Sequence, residues 1–181
     1  AFEEAGDALE YGKTYNQLSS SACDRYVFEW SFEAREKIIG EAREYGERAI
    51  TLLSGVGDPY ELARAYVKTA SHLSTFYSFV SDMGEKERCH QKSLDYWQKA
   101  SELSEETACL ELLSMSGEAL YWSLDETLVH CEKALDYAKK AKDKYLIGTA
   151  LDLLAYLVWW KSVEFEDPDK RNERIQEALQ Y

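Results

Sequence analysis

The chain has 181 residues, of which 45% are hydrophobic, 30% are charged and only two are proline, a composition that argues against disorder. Its 34 acidic and 21 basic residues give a net charge of −13, which argues against nucleic-acid binding, because that function needs a basic surface to neutralise phosphates. No apolar run approaches the roughly 18 residues of a transmembrane helix, so we expect no membrane insertion.

Helical periodicity runs through the whole chain, and strand-like alternation is nearly absent. We predict helical hairpins, each with a first helix (A) and a second helix (B). The predicted B helices lie near residues 1–12, 33–53, 85–103, 125–142 and 168–181. The predicted A helices lie near residues 17–30, 60–81, 105–122 and 145–163. The fold class is therefore all-α.

Helix start signals fall where these hairpins need them. Asp58-Pro59 offers an N-cap and a proline at the first helical position, and Asp82 is followed three residues later by Glu85. Ser123 with Glu126 and Asp167 with Pro168 predict two further helix starts.

An Ala/Ser–Leu/Ile pair recurs at intervals of 41, 44, 41 and 44 residues. Self-similarity at this period is typical of a stacked repeat, in which each unit buries its apolar face against its neighbours. We call the first residue of each pair an anchor and expect the anchors to occupy equivalent places in successive B helices. The anchors are Ala8, Ala49, Ser93, Ala134 and Ala178.

Small residues also recur at fixed distances after the anchors, which predicts a close approach of paired helices. These positions are Cys23, Ala65, Cys109 and Ala150, and, five residues later in the inner repeats, Ala70, Ser114 and Ala155. We interpret Cys23 and Cys109 as small buried hydrophobic residues. The four cysteines form no CxxC pair, so we expect reduced thiols and a cytoplasmic location.

Two phrases point to a known repeat family. Cys131-Glu132-Lys133-Ala134-Leu135 resembles the tail of the second helix of the tetratricopeptide repeat, and Met83-Gly84-Glu85 resembles its interhelical turn. The unit of about 42 residues is similar to the longer repeats of this type. The resemblance implies a right-handed α-solenoid, and a non-catalytic scaffold that binds peptides in a concave groove lined by A helices.

The predicted organisation is one tetratricopeptide-like repeat domain over residues 1–181. The chain begins without methionine, and both ends fall inside the repeating phrase, so we expect it to be part of a longer protein. No nucleophile motif, phosphate loop or metal-ligand spacing stands out, so we predict no catalytic residue, no metal site and no cofactor. The adjacent pairs Cys89-His90 and His130-Cys131 point about 100° apart on a helix, which disfavours a zinc site.

The predicted function is protein–protein interaction through one face of the A helices, with a basic or amphipathic peptide or protein segment as partner. The candidate contacts combine carboxylates with aromatic and small side chains: Ser71, Glu111, Met115, Glu118, Asp152, Tyr156 and Trp159. Two alternatives stay open: a ligand- or peptide-sensing domain of a larger regulator, which a closed apolar pocket would favour, and a self-assembly module that forms homodimers through exposed terminal repeats.

Overall fold

The computed structural model describes residues 5–114 and 124–163, together with positions 172 and 176. Six helices account for nearly all of these residues, and the described part of the chain contains no strand, so the all-α prediction is confirmed there. The helices are α1 (Ala5–Phe28), α2 (Phe32–Ser54), α3 (Pro59–Tyr77), α4 (Met83–Ser114), α5 (Leu124–Ala141) and α6 (Lys144–Val163). None of the helices in this described part combines the length and apolar character that crossing a bilayer requires.

Helix α1 is continuous, so the prediction of two separate helices near 1–12 and 17–30 is wrong. The stretch between them contains neither proline nor a residue with a left-handed backbone. The hydroxyl of Thr14 donates to the carbonyl of Glu10, and that of Ser20 to the carbonyl of Asn16, as polar side chains do inside a helix. Ala8 and Cys23 therefore lie on one helix rather than on the two helices of a hairpin.

Two other helix starts in the described range follow the predicted start signals. A side-chain oxygen of Asp58 accepts from the backbone N–H groups of Tyr60 and Glu61 at the start of α3, and Asp82 accepts from Glu85 at the start of α4. Helix α4 is interrupted at Ser104, where φ is −161° and ψ is 98°. The predicted break between residues 103 and 105 is confirmed. The start signals at Ser123 and Asp167 lie outside the described residues.

The chain divides into two compact units, Ala1–Ala108 and Cys109–Tyr181. One repeat domain spanning residues 1–181 stays a prediction.

The first unit is built from antiparallel neighbours. In α1 and α2, the rings of Tyr15 and Tyr45 have centroids 6.1 Å apart, and Arg25 forms an ion pair with Glu41 over 2.7 Å, so residue numbers rise in one helix as they fall in the other. The same antiparallel sense holds for α2 with α3, where Arg43 contacts Phe76 and Gly46 lies against Thr69. It also holds for α3 with the first part of α4. These contacts make α3 the central helix of the unit.

Contacts also join alternate helices of the first unit. The hydroxyl of Ser19 in α1 contacts His72 in α3, while Glu47 in α2 pairs with Lys92 in α4. Helix α3 is consequently covered on several sides, and residues 69–75 form an unbroken buried run. Its core partners from α2 and α4 are Ala49, Ile50, Leu53, Cys89 and Tyr96.

In the second unit, α5 packs against α6 across a tight turn. The backbone N–H of Asp143 donates to Ala138, and the carboxylate of Asp143 accepts from Tyr145 and Leu146 at the start of α6. The buried side of the hairpin is formed by small and branched residues: Thr127, Cys131, Ala134, Leu135, Ala138, Ala150, Leu154, Leu157 and Val158.

Most of the anchors and small positions that the structure describes are buried. Ala49, Ser93 and Ala134 are almost completely buried, whereas Ala8 is half-buried and Ala178 lies outside the described residues. Among the small positions, Ala65, Ala70, Cys109 and Ala150 are buried, Ala155 is half-buried, and the side chain of Ser114 is not described. The interpretation of Cys23 as a buried residue is wrong, because its side chain is half-buried near the loop end of α1.

Candidate functional site

The outer face of α6 carries a cluster of large aromatic side chains. Tyr156, Trp159 and Trp160 are 40%, 47% and 43% exposed. The ring centroids of Tyr156 and Trp159 lie 6.3 Å apart in a stacked arrangement, and the two tryptophan rings lie 5.9 Å apart, edge to face. We call these three residues the α6 aromatic cluster. Pairs at these distances favour a fixed mutual orientation.

The helical period explains why this cluster faces outward. Leu154, Leu157 and Val158 occupy the buried side of α6. At 3.6 residues per turn, the three aromatic residues lie on the opposite side of the helix and so face away from the core. Asp152 is exposed and precedes Tyr156 by one helical turn. The carboxylate therefore lies on the same face as the aromatic rings.

The predicted contact residues are placed unequally. Asp152, Tyr156 and Trp159 lie together on α6, and Glu111 is half-buried near the end of α4. Met115 and Glu118 lie outside the described residues. Ser71 is only 6% exposed, because α3 is packed on several sides, and so it contributes no partner-accessible surface. Trp160 was not among the predicted contacts, although its proximity to Trp159 in the sequence was a usable signal.

A groove of about 560 Å³ lies in the first unit between α2 and α4. Leu73 and Cys89 belong to its lining, and the remaining lining residues are charged: Arg43, Glu44, Glu47, Arg48, Glu85, Arg88 and Lys92. We call this site the α2–α4 groove. Its charged lining differs from the closed apolar pocket that would favour the ligand- or peptide-sensing alternative.

Glu47 organises one side of this groove. One carboxylate oxygen of Glu47 accepts from the ammonium of Lys92 over 2.5 Å, and the other accepts from the hydroxyl of Tyr96 over 2.6 Å. Burial, and then this hydrogen bond, raise the pKa of Tyr96 well above its usual value. Tyr96 consequently acts as a neutral donor that fixes Glu47 between the two helices.

A buried Ser–His pair lies in the same unit. The hydroxyl of Ser19 donates to the carbonyl of Ala42 over 2.8 Å, so it accepts from Nδ1 of His72 at 3.0 Å. Burial, together with the charge of Lys68, lowers the pKa of His72 to about 4. A nucleophilic serine would donate to the histidine instead, so this arrangement has the reverse direction.

The cysteine thiols in the interior are held in their neutral form. Burial raises the pKa of Cys131 to about 12, with a further contribution from nearby Cys109, and burial also raises the pKa of Cys89. Since the thiolate is the nucleophile, these groups have little reactivity at neutral pH. Across the described residues, no three His, Cys, Asp or Glu side chains are grouped as a metal ion would require.

Comparisons with protein-family models, with curated proteins and with solved structures find no match to this chain.

Proposed function

We propose that this chain is a non-catalytic protein–protein interaction scaffold that binds a basic or amphipathic protein segment. The observation that carries the proposal is the α6 aromatic cluster, which exposes Tyr156, Trp159 and Trp160 on a regular helix. Tryptophan and tyrosine are the residues most enriched at energetic hot spots of interfaces. A helix holds such rings with little loss of conformational entropy on binding.

Charge supports a basic partner. The chain carries −13, and Asp152 lies one turn from Tyr156 on the same face. Opposite charge on a partner would raise the rate of encounter, while the aromatic rings would supply the affinity that salt leaves intact.

The finer parts of the proposal follow the resemblance to tetratricopeptide repeats. In these finer parts we propose that the chain forms a right-handed α-solenoid, that it is cytoplasmic and that its concave groove receives the partner. The antiparallel packing of neighbouring helices in the first unit supports the hairpin element of this architecture. The buried anchors Ala49, Ser93 and Ala134 are also consistent with it.

A regulatory domain that senses a small ligand is a second candidate. The α2–α4 groove supports it by volume, because about 560 Å³ lies within the range of small-molecule sites, but its charged lining differs from the apolar pocket that this alternative led us to expect. This groove lies in the first unit, so the two candidates concern different surfaces.

A peptide-display selection tests the scaffold proposal. A random-sequence library is selected in parallel against the chain and against the double variant Tyr156→Ala with Trp159→Ala. The matched control is Tyr145→Ala, which removes a 79% exposed ring from the same helix outside the cluster. We expect peptides rich in Lys, Arg and apolar residues that bind the wild-type chain and the control but not the double variant.

The proposal is wrong if the selected peptides bind the double variant as tightly as the wild type. Sedimentation velocity over a range of protein concentrations covers the self-assembly alternative. A dimer that dissociates in the double variant but persists in Tyr145→Ala would assign the cluster to self-association instead.

A further inference from the structure

Two guanidinium groups of the α2–α4 groove have no carboxylate partner among the described residues. Arg43 contacts the ring of Phe76, with 4.4 Å from its guanidinium carbon to the ring centroid. Arg88 is exposed, and within the described part of the chain it makes neither an ion pair nor a hydrogen bond. Both side chains line the groove beside the buried thiol of Cys89.

The other cations of the groove are already engaged. Lys92 is paired with Glu47, and the guanidinium of Arg48 donates to the hydroxyl of Tyr15 over 3.4 Å. With four cations and three carboxylates, the lining is net positive in a chain whose overall charge is −13. The net charge of the groove lining is thus opposite in sign to the net charge of the whole chain.

The contact with Phe76 makes Arg43 suitable for binding an anion. A ring face attracts the cation but does not satisfy its N–H groups in the way a carboxylate does. The planar arrangement of these donors matches two oxygens of a carboxylate or a phosphate. Arg43 is therefore positioned by the protein while its hydrogen-bonding capacity remains available.

We propose that the α2–α4 groove binds a small molecule carrying a carboxylate or phosphate group, which Arg43 and Arg88 hold together. The volume of about 560 Å³ suits a ligand of this size. A small molecule is favoured over an acidic polypeptide, because the net negative charge would repel a long acidic chain. A short anion responds mainly to charges within a Debye length, about 10 Å at 0.1 M salt.

The remaining acids refine the chemistry of this molecule. Glu44 and Glu85 share the lining with the two arginines. They add hydrogen-bond acceptors beside the arginines, and so favour a ligand that also carries an amino or hydroxyl group. The inference concerns the first unit and does not depend on the α6 aromatic cluster.

The experiment is a titration of the ¹⁵N-labelled full chain, followed by amide chemical shifts, with sodium citrate, sodium phosphate and sodium chloride at matched ionic strength. We expect citrate or phosphate, but not chloride, to produce saturable shifts concentrated in residues 43–48 and 85–92. The relative affinities for citrate and phosphate identify which anionic group the groove prefers. Shifts that do not saturate, or that are spread over basic residues elsewhere, would overturn the proposal.

Variants locate the binding groups. Arg88→Gln and Arg43→Gln should each weaken binding of the preferred anion by about tenfold or more, since each removes a charge-assisted hydrogen-bonding group. Arg25→Gln is the matched control, because it removes the same charge from an ion pair with Glu41 outside the groove lining. Equal affinity in Arg88→Gln and in the wild type would also overturn the proposal.

Arg88→Lys keeps the charge of an exposed side chain, and so tests the paired geometry without threatening the fold. We expect it to bind less tightly than the wild type, because an ammonium lacks the planar donor pair. An affinity equal to that of the wild type would show that the forked contact is absent.

Discussion

The hydroxyl of Ser93 in α4 donates a hydrogen bond to the backbone carbonyl of Ala70 in α3, over 2.8 Å. Ser93 is the one anchor that is serine rather than alanine, and Ala70 is one of the recurrent small positions. Ser74 completes the arrangement by donating to Ser93 over 2.8 Å. Two small residues thus meet at a close contact between α3 and α4, and the hydroxyl that Ser93 has in place of an alanine hydrogen finds hydrogen-bond partners there.

Gly46 and Thr69 provide a sharper test of close approach between α2 and α3. A β carbon at Gly46 would collide with the hydroxyl of Thr69, which is buried and already donates to the carbonyl of Ala65 over 2.7 Å. We expect Gly46→Ala to lower the free energy of unfolding by about 1–3 kcal/mol through overpacking. Urea unfolding followed by circular dichroism measures this change.

Gly40→Ala in the same helix is the control for that prediction. A β carbon there meets no atom within 4 Å, so alanine should raise the free energy of unfolding by about 0.5–1 kcal/mol through its helix propensity. If both substitutions stabilise the chain, the contact between Gly46 and Thr69 is not as tight as described.

Local signals in the sequence were sufficient to predict most helix boundaries. Asp58 with Pro59 marks the start of α3, and Asp82 with Glu85 marks the start of α4. The break expected after residue 12 had no such signal and rested on the repeat alone. Since nothing in that stretch stops a helix, α1 continued through it.

The site was harder to predict than the helices. Ser71 satisfied the helical spacing but is buried, because the packing of α1, α2 and α4 around α3 is a property of the whole unit. Arg43 and Arg88 lie on different helices and are 45 residues apart in the chain, so in the sequence they look like ordinary surface charges. Their similar offsets from the anchors Ala49 and Ser93 were the available signal.

Ala134→Leu tests the buried anchor of α5. Ala134 has no exposed surface, so a larger side chain must displace its neighbours, and we expect the free energy of unfolding to fall by about 1–3 kcal/mol. Ala141→Leu adds the same atoms at an exposed position of the same helix and should change stability by less than about 0.5 kcal/mol. Equal effects in urea unfolding would contradict a close contact at Ala134.

Lys142 has a left-handed backbone, with φ of 56°, directly after α5. Glycine adopts this conformation without the steric cost of a side chain, so Lys142→Gly should raise the free energy of unfolding by about 1 kcal/mol. Lys139→Gly removes the same charge from inside the last turn of α5 and should lower stability by about 1 kcal/mol. Thermal unfolding of both variants checks the opposite signs.

Burial of His72 predicts a loss of stability in mild acid. Its pKa is about 4 in the folded chain, against 6.5 for an exposed histidine, so the unfolded chain binds more protons between these pH values. The free energy of unfolding therefore rises with pH in that window. On acidification from pH 6.5 to 4 we expect a loss of roughly 3 kcal/mol from this group alone.

The matched variant for this prediction is His72→Leu. Ser19 keeps its hydrogen bond to the carbonyl of Ala42, so the substitution leaves that hydroxyl satisfied. The variant should lose less stability than the wild type between pH 6.5 and 4 in parallel urea titrations. If the free energy of unfolding depends on pH identically in the wild type and in the variant between pH 6.5 and 4, His72 is not the group that resists protonation.

Asp152 provides the electrostatic test of the proposed α6 surface. Its carboxylate is exposed one turn before Tyr156, in a chain of charge −13, and so should attract a basic partner segment. Asp152→Lys should slow association with a peptide from the display selection, and the effect should shrink with salt, since the Debye length falls from about 10 Å at 0.1 M to about 3 Å at 1 M. Stopped-flow fluorescence over this salt range measures the association rate.

The control is Asp136→Lys, which makes the same charge change at an exposed position on α5. If attraction arose only from net charge, both variants would slow association equally, because each changes the total by two. A larger effect at Asp152 would localise the attraction to the face that carries Tyr156 and Trp159. An association rate that changes neither in the two variants nor with salt would rule out electrostatic recognition on this face. Binding there would then have to come from the aromatic rings.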